Sequence, residues 1–156
     1  MQERLWRPAV GLLVVSIALW GASDPIIGTW KLNPAKSKDT AGRIPSSLVY
    51  TYSAQKDGMI KLTRDEISDQ GQSRHTEWLG KFNGKDYPNT GSPEADTMSV
   101  KQVDSRNFEF AVKKQGQVVA TQKTFISDDG KTLTNVNSSK DAKGQPRSYT
   151  AVFERQ

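Results

Sequence analysis

From Gly28 onward, apolar and polar residues alternate in short runs separated by turn-forming pairs. The chain carries no long run with the spacing of an amphipathic helix. Alternation with period two sends successive side chains to opposite faces of a strand. It predicts ten strands: Gly28–Asn33, Leu48–Ala54, Met59–Ser68, Ser73–Phe82, Lys85–Pro88, Thr97–Asp104, Asn107–Gln115, Gln117–Ser127, Lys131–Ser139 and Pro146–Arg155. Asp57-Gly58, Asp69-Gln70-Gly71, Asn83-Gly84, Gly116, Asp129-Gly130 and Lys143-Gly144 mark short reversals between them. Neighbours joined by short reversals pair antiparallel, so the fold class is all-β and the topology an up-and-down meander. Closing the meander into a small 8–10-stranded barrel removes its unpaired edges. A two-sheet β-sandwich has nearly the same pattern and is the alternative.

Two stretches interrupt the rhythm. Pro34–Ser47 and Tyr87–Asp96 are rich in Pro, Gly and Ser and are expected to be irregular connections. A short helical turn in the first is compatible with its composition. Connections of this length in compact domains often line a binding site, so the second is expected near a barrel mouth.

The inward faces follow from the aromatic positions. Trp78 and Phe82 share one face, as do Phe108 and Phe110, and Tyr149 and Phe153. The opposite register would place Glu77, Lys81, Glu109 and Lys113 inside, where unpaired charge is costly. The inner faces are not purely apolar. Leu133 alternates with Asn135 and Asn137, and Ile60 and Leu62 alternate with Arg64. A thin core with polar lining favours a cavity over a solid interior. The candidate ligand contacts are Trp78, Phe82, Tyr87, Phe108, Phe110, Tyr149 and Phe153.

A Gly-x-Trp at the first strand, Gly28-Thr29-Trp30, followed by an all-β meander of this length, resembles the lipocalin and fatty-acid-binding-protein group. It is also similar to the lipocalin-like domains of exported bacterial proteins. The resemblance implies that Trp30 closes one end of the barrel and that an Arg from the last strand, here Arg155, packs over its indole. Closure with an even strand number also sets the start of the first strand antiparallel to the end of the last, which puts Trp30 close to Phe153 or Arg155. Emptying such a Trp site costs about 3–5 kcal/mol. Arg155→Ala, counted as a cation–π contact alone, costs about 1 kcal/mol. The implied function is to hold a small apolar or amphipathic ligand. A filled barrel acting as a structural or interaction protein of the cell envelope is the alternative.

The N-terminus adds a location. Arg4 and Arg7 precede an apolar run from Pro8 to Trp20, and Gly21-Ala22-Ser23 supplies small residues for a peptidase. This is the pattern of a secretory signal peptide over residues 1–23, leaving residues 24–156 as one domain. The run is too short for a spanning helix, so no stable membrane insertion is expected after cleavage. The protein is expected to be exported, either periplasmic or secreted.

Composition and charge narrow the chemistry. With no Cys, the chain has no disulfide, no thiol nucleophile and no Cys-ligated metal. It carries 22 Lys and Arg against 17 Asp and Glu, scattered without a basic cluster. Lys61, Arg64 and Lys81 lie near Trp78 in sequence, but an exported protein meets little nucleic acid, and none is expected as a partner. His75 is the single histidine. His75-x-Glu77 offers two ligands of the three or four a zinc site needs, so neither metal nor haem is expected. No nucleophile elbow accompanies it, and Asp65 and Glu66 face opposite ways on one strand. No catalytic constellation, and hence no enzyme activity or cofactor, is expected.

Overall fold

The computed structural model describes residues 24–156. The expected leader and its cleavage site lie outside the described residues. Eleven strands follow in order: β1 Gly28–Leu32, β2 Lys38–Asp39, β3 Ser47–Ala54, β4 Ile60–Ile67, β5 Ser73–Gly80, β6 Asn83–Thr90, β7 Thr97–Asp104, β8 Asn107–Lys114, β9 Gln117–Ile126, β10 Thr132–Lys140 and β11 Pro146–Arg155. Two single 3-10 turns, Pro34–Lys36 and Lys56–Gly58, are the helical pieces among them. From β3 to β11 each strand pairs antiparallel with its successor. β1 pairs with β3 on one side and β11 on the other, which closes a ten-strand barrel. The closed ring rules out the sandwich.

Closure falls at the expected residues: Trp30 pairs with Arg155 and Leu32 with Phe153. Beyond Leu32 the chain bulges and rejoins β11 as β2, where Asp39 pairs with Tyr149. Ser37 bridges the bulge. Its buried hydroxyl donates to the Asn33 carbonyl at 2.8 Å and accepts from the Val152 amide at 3.0 Å. β11 therefore has its edge covered along most of its length, which removes a template for aggregation.

The ten strand predictions hold to within one to three residues at most ends, with two corrections. Lys38–Asp39, inside the expected irregular connection, forms β2, and Tyr87–Thr90 belongs to β6. Pro88 is tolerated in that strand because of where its nitrogen points. The neighbouring Asn89 amide donates toward β7, to Asp96 O at 2.9 Å, so the position of Pro88 faces β5. A proline there cannot donate to β5, and the β5–β6 ladder is limited to Glu77–Thr90 and Trp78–Asn89. The midpoint of that register falls at Asn83-Gly84, but both residues lie within β6 and do not form the two-residue hairpin turn that the sequence suggests. Of the two, only Gly84 takes a positive φ, 76°. Asn83 already pairs with Lys101 of β7.

The core fills one end of the barrel. Ile26, Trp30, Trp78, Val100, Phe108, Leu133 and Phe153 are all at most 1% exposed. Trp30 donates its indole N–H to Ile26 O at 2.8 Å, and the Arg155 guanidinium lies 4.2 Å above its ring. Arg155 also donates to the carbonyls of Gly130 at 2.7 Å and Ile27 at 2.9 Å, and to that of Pro25. The arginine thus ties the first strand, the β9–β10 turn and the entering chain together. Gly28 is required beside it: its φ is 137°, and a Cβ there would stand 2.6 Å from Arg155 Nη1.

Candidate ligand-binding cavity

Strand register stacks the inward side chains in rows. On one wall Tyr52, Leu62, Trp78 and Asn89 align across β3, β4, β5 and β6. The next row toward the open end is Tyr50, Arg64 and Thr76. On the facing wall Val100, Phe110, Gln122, Asn137 and Tyr149 align from β7 to β11. Between the walls lies a cavity of about 250 Å³. Its mouth carries Arg74, Asn89, Ser92 and Glu94. Arg74 and Glu94 form an ion pair at 2.9 Å there, linking β5 to the connection between β6 and β7.

The lining divides by chemistry. Leu62, Trp78, Ala95, Met98, Phe110 and Val112 form an apolar side. The Trp78 indole is held by its N–H donating to Met98 O at 2.8 Å. Tyr50, Tyr52, Arg64, Gln122, Asn137 and Tyr149 form a polar side. Arg64 is ion-paired with Glu66 and hydrogen-bonded to Tyr50. Burial alone would lower its pKa, but Tyr50 and Glu66 outweigh that and raise it, so the guanidinium stays charged. Burial pushes the Tyr52 phenol well above its ordinary value, with Tyr50 adding to the effect. Burial, then Tyr50, raises Tyr149 as well. Both hydroxyls therefore keep their protons, and neither has a hydrogen-bond partner.

The structure distributes the seven sequence-derived aromatics unequally. Trp78, Phe110 and Tyr149 line the cavity. Phe108 and Phe153 point inward but lie in the packed end, fully buried. Phe82 stacks on Trp78 at 6.2 Å and meets Phe108 edge-on at 5.2 Å, sealing the floor. Tyr87 is a correction to the expectation of a mouth residue. Its ring rests on Gly80, where a Cβ would be 2.6 Å from Tyr87 Cγ, and its hydroxyl accepts from Asn83 at 3.0 Å. The later part of that connection does reach the mouth through Ser92, Glu94 and Ala95. Alternation specifies the face of a strand but not the height along the barrel axis, which explains the split.

Tyr50 and Tyr52 were not singled out from the sequence, although they alternate with Leu48 on one face of β3. Their spacing held the signal. The alternation that turns Asp65 and Glu66 to opposite faces is present in the structure: Glu66 turns to Arg64 inside, and Asp65 turns to His75 outside, at 2.6 Å. His75 is exposed and also meets Glu77 at 3.3 Å. The two carboxylates raise its pKa, Asp65 first. This cluster lies on the outer face of the barrel, opposite the lining residues Arg74 and Thr76.

No family model matches the chain, and no curated protein matches it. Solved structures do. EF1p2_mFAP2b, solved bound to DFHBI, is 10% identical over 86% of this chain and 97% of its own, with a TM-score of 0.53. A zebrafish ileal bile acid-binding protein complexed with cholic acid is 12% identical over 85% of this chain and 99% of its own, with a TM-score of 0.46. At such identities the first likeness speaks for a shared small-barrel fold.

Proposed function

We propose that this protein is a non-catalytic carrier that holds one small amphipathic molecule inside the barrel. The observation that supports it most is the cavity of about 250 Å³ left between an apolar and a polar wall, beside an otherwise close-packed core. Protein interiors seldom leave such volume unfilled without a use. An engineered cavity of about 150 Å³ admits benzene, so this one suits a compound of roughly ten to twelve heavy atoms. The barrel of EF1p2_mFAP2b, of the same general fold, was solved with DFHBI bound. The N-terminal leader pattern supports export, with the protein working in the periplasm or outside the cell as a lipocalin-like domain.

Native mass spectrometry of the protein purified from cells that naturally make it tests both parts. The expected species is residues 24–156 carrying one small compound that leaves on denaturation. Uniformly ligand-free protein that also fails to bind small aromatic probes would overturn the carrier reading. A chain retaining residues 1–23 would overturn cleavage of the leader.

A further inference from the structure

A carrier must let its cargo in and out, and the barrel leaves few ways through. This step rests on the carrier reading and adds how the cavity is closed. The floor is packed by Phe82 and Phe108. The walls are hydrogen-bonded strands around the whole ring. The shortest ladder in that ring lies between β5 and β6, where two residue pairs meet, and there Tyr87 packs edge-on against Trp78 at 5.9 Å. The remaining way is the mouth, which the connection from Gly91 to Asp96 borders. That connection is fastened at both ends. At its start the Thr90 hydroxyl donates to Glu77 O at 3.4 Å. At its end the Asp96 amide donates to Lys113 O at 2.9 Å, and the Asp96 carboxylate accepts from the Gln115 amide at 2.8 Å. Between these anchors Ala95 lines the cavity and is 5% exposed, and Glu94 reaches across to Arg74 of β5. Arg74 donates through Nη1 to Glu94 Oε2 at 2.9 Å and through Nη2 to Oε1 at 3.4 Å. A two-point bond of this kind fixes orientation as well as distance. Gly91, with a φ of 81°, stands at the start of the connection, where a glycine can absorb a rotation of the backbone.

We infer that the β6–β7 connection is the gate of the cavity, turning about Gly91, with the Arg74–Glu94 pair as its latch. A compound passes when the pair parts and Ala95 lifts from the lining. Both side chains of the pair reach solvent, so salt screens it and its hold is modest. A weak latch suits a carrier, because a tight one would trap the cargo.

Stopped-flow mixing with 1-indanone, read by quenching of tryptophan fluorescence because Trp78 lines the cavity, measures entry and release. Glu94→Gln should speed both about two- to fivefold, the range of an exposed ion pair. Loss of a ligand contact would instead speed release alone. Raising the ionic strength from about 0.1 M to about 1 M should speed the wild type similarly and leave Glu94→Gln unmoved. The chain has no Cys, so Arg74→Cys with Glu94→Cys supplies a single pair of thiols. Joining them with a short bismaleimide should slow release at least tenfold. Release unaffected by the crosslink, or rates indifferent to Glu94→Gln and to salt, would overturn the gate and leave the carrier reading intact. No binding of the probe at equilibrium would overturn the carrier reading and the gate with it.

Discussion

Arg155→Ala should destabilise the barrel by about 3–4 kcal/mol, well beyond the roughly 1 kcal/mol of a cation–π contact alone. The difference comes from the three carbonyls that the guanidinium holds, those of Gly130, Ile27 and Pro25. A charged hydrogen bond is worth about 1.5–3 kcal/mol net. Arg155 is only partly buried, so water replaces some of this, and the three together are worth about 2–3 kcal/mol. The stack on Trp30 at 4.2 Å adds about 1 kcal/mol. Arg155→Lys keeps the charge but loses the planar fork and should cost about 2 kcal/mol. Urea unfolding followed by circular dichroism is the assay. With a slope of about 1.5 kcal/mol per molar, the alanine midpoint should fall by about 2 M. Gly28→Ala should also destabilise, and less so in the Arg155→Ala background, because its Cβ meets Nη1 at 2.6 Å. A loss under 1 kcal/mol for alanine, or wild-type stability for lysine, would refute the clamp.

Two further outcomes follow from other elements. Asp39 has a side chain with no solvent exposure, paired with Arg147. Burial pushes its pKa up, but bonds from Arg147 and the amides of Ala41 and Arg43 outweigh this and hold it below the ordinary value. Its contribution is therefore fully present above the unfolded pKa of about 4 and is lost as pH falls through the lower folded value. Asp39→Asn should cost about 2–3 kcal/mol at pH 7, and the gap from wild type should shrink below about pH 4 in acid–urea titrations; a gap independent of pH would contradict this. Gly91 has a φ of 81° and packs on the His75 carbonyl at the mouth. Gly91→Ala should cost about 1–3 kcal/mol in thermal unfolding and displace the β6–β7 connection, whereas a neutral effect would contradict the close approach.

Much of this molecule was legible in the pattern of its residues. Period-two alternation located ten strands because each has one face in the barrel and one in water. Closure at Trp30 and Arg155 was legible through the resemblance carried by Gly28-x-Trp30, and the structure bears it out, with the indole under the guanidinium bringing the first and last strands together. The cavity was less legible. Whether an inward aromatic lines a cavity or plugs the floor depends on strand stagger, which brings Phe110 level with Tyr149 but leaves Phe153 in the closed end. The local sequence of β11 carries no such information. The strand expected to end at Pro88 continues to Thr90, because the proline costs only a bond to β5, where the ladder is short. The pairing of Arg64 with Glu66 spans two positions on β4, and its role depends on Tyr50 from a neighbouring strand.

The central claim is that binding occurs inside the barrel, and filling the cavity tests it directly. Val112 lines the cavity and is only partly packed, so Val112→Trp places an indole in the space without displacing the core. Calorimetric titration of 1-indanone, a small aromatic probe of about ten heavy atoms that suits the cavity volume, into both proteins should show one saturable site in the wild type and at least tenfold weaker binding in the variant. The variant should melt at or above the wild-type temperature, because the added ring gains contacts in existing space. Equal affinity in the two proteins, with the variant folded, would place the ligand outside the barrel and contradict the claim.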